Sequence, residues 1–118
     1  MRLALAFALA VVLPVPAFAA DVAATMAAFR DQPSACRYYL ALCSTAIRAT
    51  NQMGAALAKT KNVTGDELLV TGPAAEGASL AAGNAITALA DAQQVLRARW
   101  PKAPCLATCD ARTKRELK

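Results

Sequence analysis

Four cysteines, spaced as C-x6-C (Cys36, Cys43) and C-x3-C (Cys105, Cys109), place the tightest limits on what this chain can become. A four-thiolate zinc site brings its ligands in C-x2-C pairs, and a dithiol redox site needs C-x-x-C with a depressed thiol pKa. Neither spacing occurs, so in a short exported chain the four residues read as two structural disulfides. Geometry then prunes their connectivity. Counted from Cys36, the positions Tyr39/Leu40, Cys43, Ala46/Ile47, Thr50, Met53 and Leu57 recur at steps of three and four, which predicts an amphipathic helix of about 25 residues. On that helix Cys36 and Cys43 stand about 10.5 Å apart at 1.5 Å per residue, beyond the ~7 Å over which a disulfide can close. Each must therefore pair with a cysteine of the last segment. An antiparallel approach gives Cys36–Cys109 and Cys43–Cys105; a parallel one gives Cys36–Cys105 and Cys43–Cys109. The antiparallel pairing is preferred, with a skewed crossing to absorb the unequal spacings.

The expectation of export comes from the first nineteen residues. Arg2 supplies a positive start, Leu3 to Leu13 an apolar run, and Ala17-Phe18-Ala19 small residues where a signal peptidase reads them, so cleavage is expected between Ala19 and Ala20. The apolar stretch carries Pro14 and Pro16, expected to break any helix beyond the run, and is marginal in length for crossing a hydrocarbon core of roughly 30 Å. Residues 1–19 are thus read as a signal peptide and residues 20–118 as a single domain, periplasmic or secreted. A domain this small has an unfavourable surface-to-volume ratio, so cross-links are expected to supply part of its stability.

The rest of the chain reads as helix. Val22, Met26 and Phe29 share one face of a short helix ending near Arg30, and Asp31-Gln32-Pro33-Ser34 offers a cap and a first-turn proline to the next. Thr64 and Glu67 fit a capping box, but Leu68-Leu69-Val70 suits one or two helical turns or a short strand equally well. Gly72-Pro73 is expected to close that segment. Ala82, Ala85/Ile86, Leu89, Ala92/Gln93, Leu96 and Trp100 again repeat at helical spacing, and Pro101 stops them. Pro104 opens a last helix with Cys105, Cys109, Thr113 and Leu117 on one face and Asp110 set to pair with Lys114. The fold class is all-α: a small bundle of three or four helices cross-linked by two disulfides.

Charge is divided unevenly. Residues 20–96 hold five basic and six acidic side chains, whereas residues 97–118 hold seven basic ones against Asp110 and Glu116. Arg112, Lys114, Arg115 and Lys118 form the candidate patch for an anionic partner, a membrane surface included; the alternative is a solvated terminal helix. Nucleic acid is disfavoured, because no aromatic residue is interleaved with these charges. Tyr38 and Tyr39 diverge by about 100° on a helix, so one of them, taken to be Tyr38, should lie at the edge as a candidate partner-facing aromatic. Asn62-Val63-Thr64 matches a glycosylation acceptor.

The chain contains no histidine. That removes His-based metal sites, Ser–His and Cys–His nucleophiles and the commonest general base. Asp66, Glu67 and Glu76 are acids near a loop with no accompanying nucleophile. The sequence therefore calls for no catalytic residues, metal or cofactor. The expected function is that of an exported, non-catalytic binding protein, its partner an unidentified protein or small ligand. The alternative is an envelope-associated structural protein held at an anionic surface by residues 97–118.

Overall fold

A computed structural model describes residues 15–118 apart from Asn62, with side chains from Asp21 onward. The signal-peptide reading falls largely on residues 1–14, outside the described residues, and Asn62 of the acceptor triplet lies outside them too. Four helices follow in chain order, α1 (Val15–Ala28), α2 (Gln32–Thr60), α3 (Asp66–Arg99) and α4 (Pro104–Glu116), with no strand among the described residues. The chain is a disulfide-linked all-α bundle, as the spacing predicts. Pro16 does not prevent α1: it sits in the first turn, where a missing N–H costs nothing. The expected cleavage point after Ala19 consequently falls within α1 of the uncleaved chain.

Local chemistry explains where α2 begins. Asp31 has extended backbone angles and its carboxylate accepts a 2.8 Å hydrogen bond from the Ser34 N–H, while Pro33 occupies the first turn. The N-terminal dipole and this bond both favour the charged carboxylate, and the Ser34 N–H above all holds the Asp31 pKa below its ordinary value.

The largest departure from expectation is α3. Residues 66–70 are helical, and the helix does not stop at Gly72-Pro73 but carries Pro73 in its interior. The Thr64 capping box does not form. Gly65 caps α3 with φ at 70°, without a side-chain bond, a conformation glycine adopts without penalty. Asp66 and Glu67 in the first turn complement the helix dipole instead. Pro73 has no N–H to give the Leu69 carbonyl, yet both residues are exposed, so water can serve that acceptor. The steric cost remains.

α2 and α3, joined through residues 61–65, run antiparallel and pack along one another; α1 lies on α3, and α4 on α2. The core gathers at one end of this arrangement. Val22 and Met26 of α1, Tyr39 and Cys43 of α2, Ala92 and Leu96 of α3, and Cys105 and Cys109 of α4 are all buried. α3 is about 50 Å long and α4 about 20 Å at 1.5 Å per residue. The outer half of the α2–α3 hairpin therefore projects beyond both flanking helices.

The disulfide pairing is the parallel one, Cys36–Cys105 and Cys43–Cys109, with Cα separations of 5.6 and 6.0 Å. This corrects the preferred Cys36–Cys109 and Cys43–Cys105. The reason is topological: α3 returns antiparallel to α2, and the short connection at residues 100–103 reverses the chain again, so α4 must run parallel to α2. Cys36 and Cys105 then share one level of the bundle, and Cys43 and Cys109 the next.

Candidate binding surface

The two ends of the molecule are built differently. At the base, polar side chains reinforce the disulfides. Arg99, at the end of α3, donates to the carbonyl oxygen of Ala27 at 2.9 Å and also to that of Phe29, satisfying C-terminal carbonyls that α1 leaves without intrahelical donors. Its guanidinium lies 4.2 Å from the centre of the Trp100 ring, a cation–π distance. Arg99 thereby fastens α1 to α3. Asn51 of α2 fastens α4: its amide donates to the Glu116 carbonyl at 2.9 Å and accepts from the Lys118 N–H at 3.0 Å.

The candidate anionic-partner patch is partly consumed by this bracing. Arg112 does not project. It is half-buried, donates to Ser44 Oγ at 2.8 Å and pairs with Glu116 at 3.0 Å. Arg115 reaches the same carboxylate at 3.5 Å. The Arg112 hydrogen bond, first among several causes, holds Glu116 below its ordinary pKa, and Arg112 is raised in return. Lys114 and Lys118 are exposed. The expected Asp110–Lys114 pair is absent from the ion pairs of the described residues, which join Glu116 to Arg112 and Arg115.

Tyr39 is buried, and desolvation above all holds its hydroxyl pKa above the usual 10.0. Tyr38 lies at the edge as its angle predicts, half-buried, its ring 5.5 Å from that of Phe29. That contact packs Tyr38 against the segment between α1 and α2, which leaves less of it for a partner. Trp100 is partly buried against the core.

The projecting end of the hairpin carries what the sequence reading passed over. Leu69 and Val70 are 74% and 73% exposed, Leu80 is 66% exposed, and Leu57 and Leu68 are nearly half exposed. These are five of the seven large hydrophobic side chains found exposed among the described residues. These side chains do not form one patch: Leu57 and Leu68 border one hollow and Val70 another, so apolar surface is distributed around the outer half of the hairpin. Shallow hollows flank the hairpin on both sides. One lies between Ala55, Ala56 and Lys59 of α2 and Val70, Thr71 and Ala74 of α3; another between Leu57 and Thr60 of α2 and Leu68, Gly72, Ala75 and Ser79 of α3. The available sequence signal was the unbroken run Leu68-Leu69-Val70, of which a two-helix hairpin can cover only one side.

Among the described residues no group of three or more His, Cys, Asp or Glu side chains is placed to hold a metal ion, and no helix is long and apolar enough to cross a membrane. Comparison with protein-family models, with curated proteins and with solved structures gives no match.

Proposed function

We propose that this chain is an exported, disulfide-braced binding protein that presents the outer half of its α2–α3 hairpin to a partner. The observation that carries the reading is the contrast between the two ends. One end holds both disulfides, the Arg99 and Asn51 fastenings and most of the buried core; the other exposes Leu57, Leu68, Leu69, Val70 and Leu80. A rigid base that holds exposed apolar side chains in water suits association, because pre-organisation lowers the ordering cost of binding. Two disulfides accord with an oxidising compartment, and a cleaved signal peptide over residues 1–19 is the proposed route there. Attachment to an anionic surface through residues 97–118 has less support, since Arg112 and Arg115 share Glu116.

Two measurements test the reading. The intact mass of protein recovered from the exported fraction should equal residues 20–118 less four hydrogens, one pair for each bridge. A photo-crosslinking residue at Leu69 should give a discrete protein adduct in cells, whereas one at Thr108 on the braced end should not. Retention of residues 1–19 in the exported material defeats the cleaved-signal reading, and absence of the protein from that fraction defeats the export reading. Adducts from Thr108 alone, or from neither position, defeat the hairpin as the binding end.

A further inference from the structure

One side of α2 brings unpaired positive charge next to hydrocarbon. Ser44, Arg48, Gln52, Ala55 and Lys59 follow one another at steps of four and three, so they share one face of the helix. Two hollows of about 410 Å³ each open along that face and meet over Gln52 and Ala55. Each lies within the range of about 300–1,000 Å³ usual for small-ligand sites. The inner hollow lies between α2 and the end of α4, bordered by Arg48, Gln52, Glu116 and Lys118. Arg112 and Arg115 already hold the Glu116 carboxylate, and Arg48 and Lys118 take part in no ion pair among the described residues. The Asn51 amide is committed to main-chain groups of Glu116 and Lys118. Four cations therefore surround one side-chain carboxylate, and the main-chain carboxyl of Lys118 adds at most one more negative charge. The balance is positive, and it favours an anion.

The outer hollow has the opposite character. Ala55, Ala56, Val70 and Ala74 form its walls between α2 and α3, with Lys59 at the far end. Thr71 also lines it, but its hydroxyl donates to the Glu67 carbonyl at 3.1 Å. The wall residues sit inside helices, where their main-chain groups are already paired. An extended peptide laid here would find no protein partner for its own N–H and C=O groups, whereas a hydrocarbon chain has none to satisfy. We propose that the two hollows together bind a single-chain anionic amphiphile of the fatty-acid class. Its carboxylate faces Arg48 and Lys118, and its chain lies along Ala55, Val70 and Ala74. From Arg48 to Lys59 the face runs about 16 Å at 1.5 Å per residue, the reach of one extended chain of medium length. The site goes beyond the reading of the hairpin as a protein-binding end and does not depend on it.

The test is isothermal titration of the oxidised protein with decanoate, decanol and acetate, each kept below micelle formation. Decanoate should bind saturably at one site per chain. Decanol keeps the chain without the charge and should bind about tenfold more weakly, and acetate should not bind measurably. Arg48→Gln should weaken decanoate about tenfold and leave decanol unchanged. Ala55→Glu, which sets a carboxylate where the hollows meet, should abolish both. Lys102→Gln, at the base, should alter neither. All three positions are exposed, so each variant should fold, and circular dichroism checks its helix content. Absence of saturable decanoate binding overturns the proposal. So does decanol binding as tightly as decanoate, or decanoate binding that Arg48→Gln and Ala55→Glu both leave intact. Co-sedimentation with phosphatidylglycerol vesicles separates a free amphiphile from a membrane: a protein that binds the vesicles and not decanoate overturns the site. The Leu69 adduct reads the protein partner separately, so the two failures are distinguishable.

Discussion

Removing the two disulfides one at a time should give unequal losses that depend on order. Each bridge taken alone closes a loop of nearly the same size, 69 residues for Cys36–Cys105 and 66 for Cys43–Cys109. In the chain-entropy description, constraining a loop of about 70 residues stabilises the fold by roughly 4.4 kcal/mol at 25 °C. The second bridge does not close such a loop again. With one bridge in place, the other encloses only the residues between the cysteines on α2 and on α4, about a dozen in all, and adds roughly 2.8 kcal/mol. Replacing Cys36 and Cys105 by alanine, or Cys43 and Cys109 by alanine, should therefore cost about 3 kcal/mol in either case, and breaking the remaining bridge about 4–5 kcal/mol more. The sum is about half or more of the stability usual for a whole domain, so the four-alanine variant should be unfolded or nearly so at 37 °C. Guanidinium titration of the three variants and the parent supplies the values, with circular dichroism as the probe. Equal and additive losses of 4–5 kcal/mol for each bridge would refute the shared-loop argument. So would a first removal costlier than the second. Non-reducing proteolysis supplies the companion check, since peptides joining Cys36 to Cys105 and Cys43 to Cys109 are expected and any other pairing contradicts the parallel placement of α2 and α4.

Other perturbations follow from single side chains. Met26 is fully buried between α1 and the bundle, so Met26→Ala should cost about 2–5 kcal/mol in chemical denaturation through lost transfer energy and a cavity. Pro73 occupies the interior of α3 in an exposed position; Pro73→Ala should restore a helical hydrogen bond and stabilise the protein by about 2 kcal/mol, the interior penalty less the entropy regained by the unfolded chain. Asp31 and Glu116 both have folded pKa values held below their ordinary ones. Their contribution is full above about pH 4.5 and is lost as pH falls through the folded values, and Glu116→Gln should flatten that acid limb in a pH series of melting temperatures. Tyr39 acts in the opposite sense, because its raised pKa makes stability fall as pH rises past about 10.

What the sequence revealed, and what it concealed, follows from how much side chain each position carries. The first part of α2 was legible because its seam holds Tyr39, Cys43 and Ile47, large enough to mark a period against Arg37, Ser44 and Arg48. The outer part of α3 was not. Its seam keeps the same steps, but the residues there are Gly72, Ala75, Ser79 and Ala82, which carry almost no hydrophobic signal, and Gly72-Pro73 reads locally as a stop. Those small residues are the ones that leave hollows on the hairpin, so the features that hid the helix also shaped the proposed binding surface. The disulfide order was within reach of sequence reasoning: short connections force successive helices to alternate in direction, which makes the first and third members of an α2–α3–α4 series parallel. Spacing alone pointed the other way because it compares seven residues with four and contains no direction. Arg112 shows the remaining limit. Its Glu116 partner at i+4 is visible in the chain, but Ser44 and Asn51 lie more than sixty residues away, and only the fold shows that the basic segment is fastened at Arg112 and again at Glu116 and Lys118. Arg112 and Asn51 commit α4 to α2 and Arg99 commits α1 to α3, while Lys102, Asp110, Lys114 and Lys118 stay exposed at the base. On the proposed reading the hairpin supplies the association energy, because there the chain leaves aliphatic side chains uncovered.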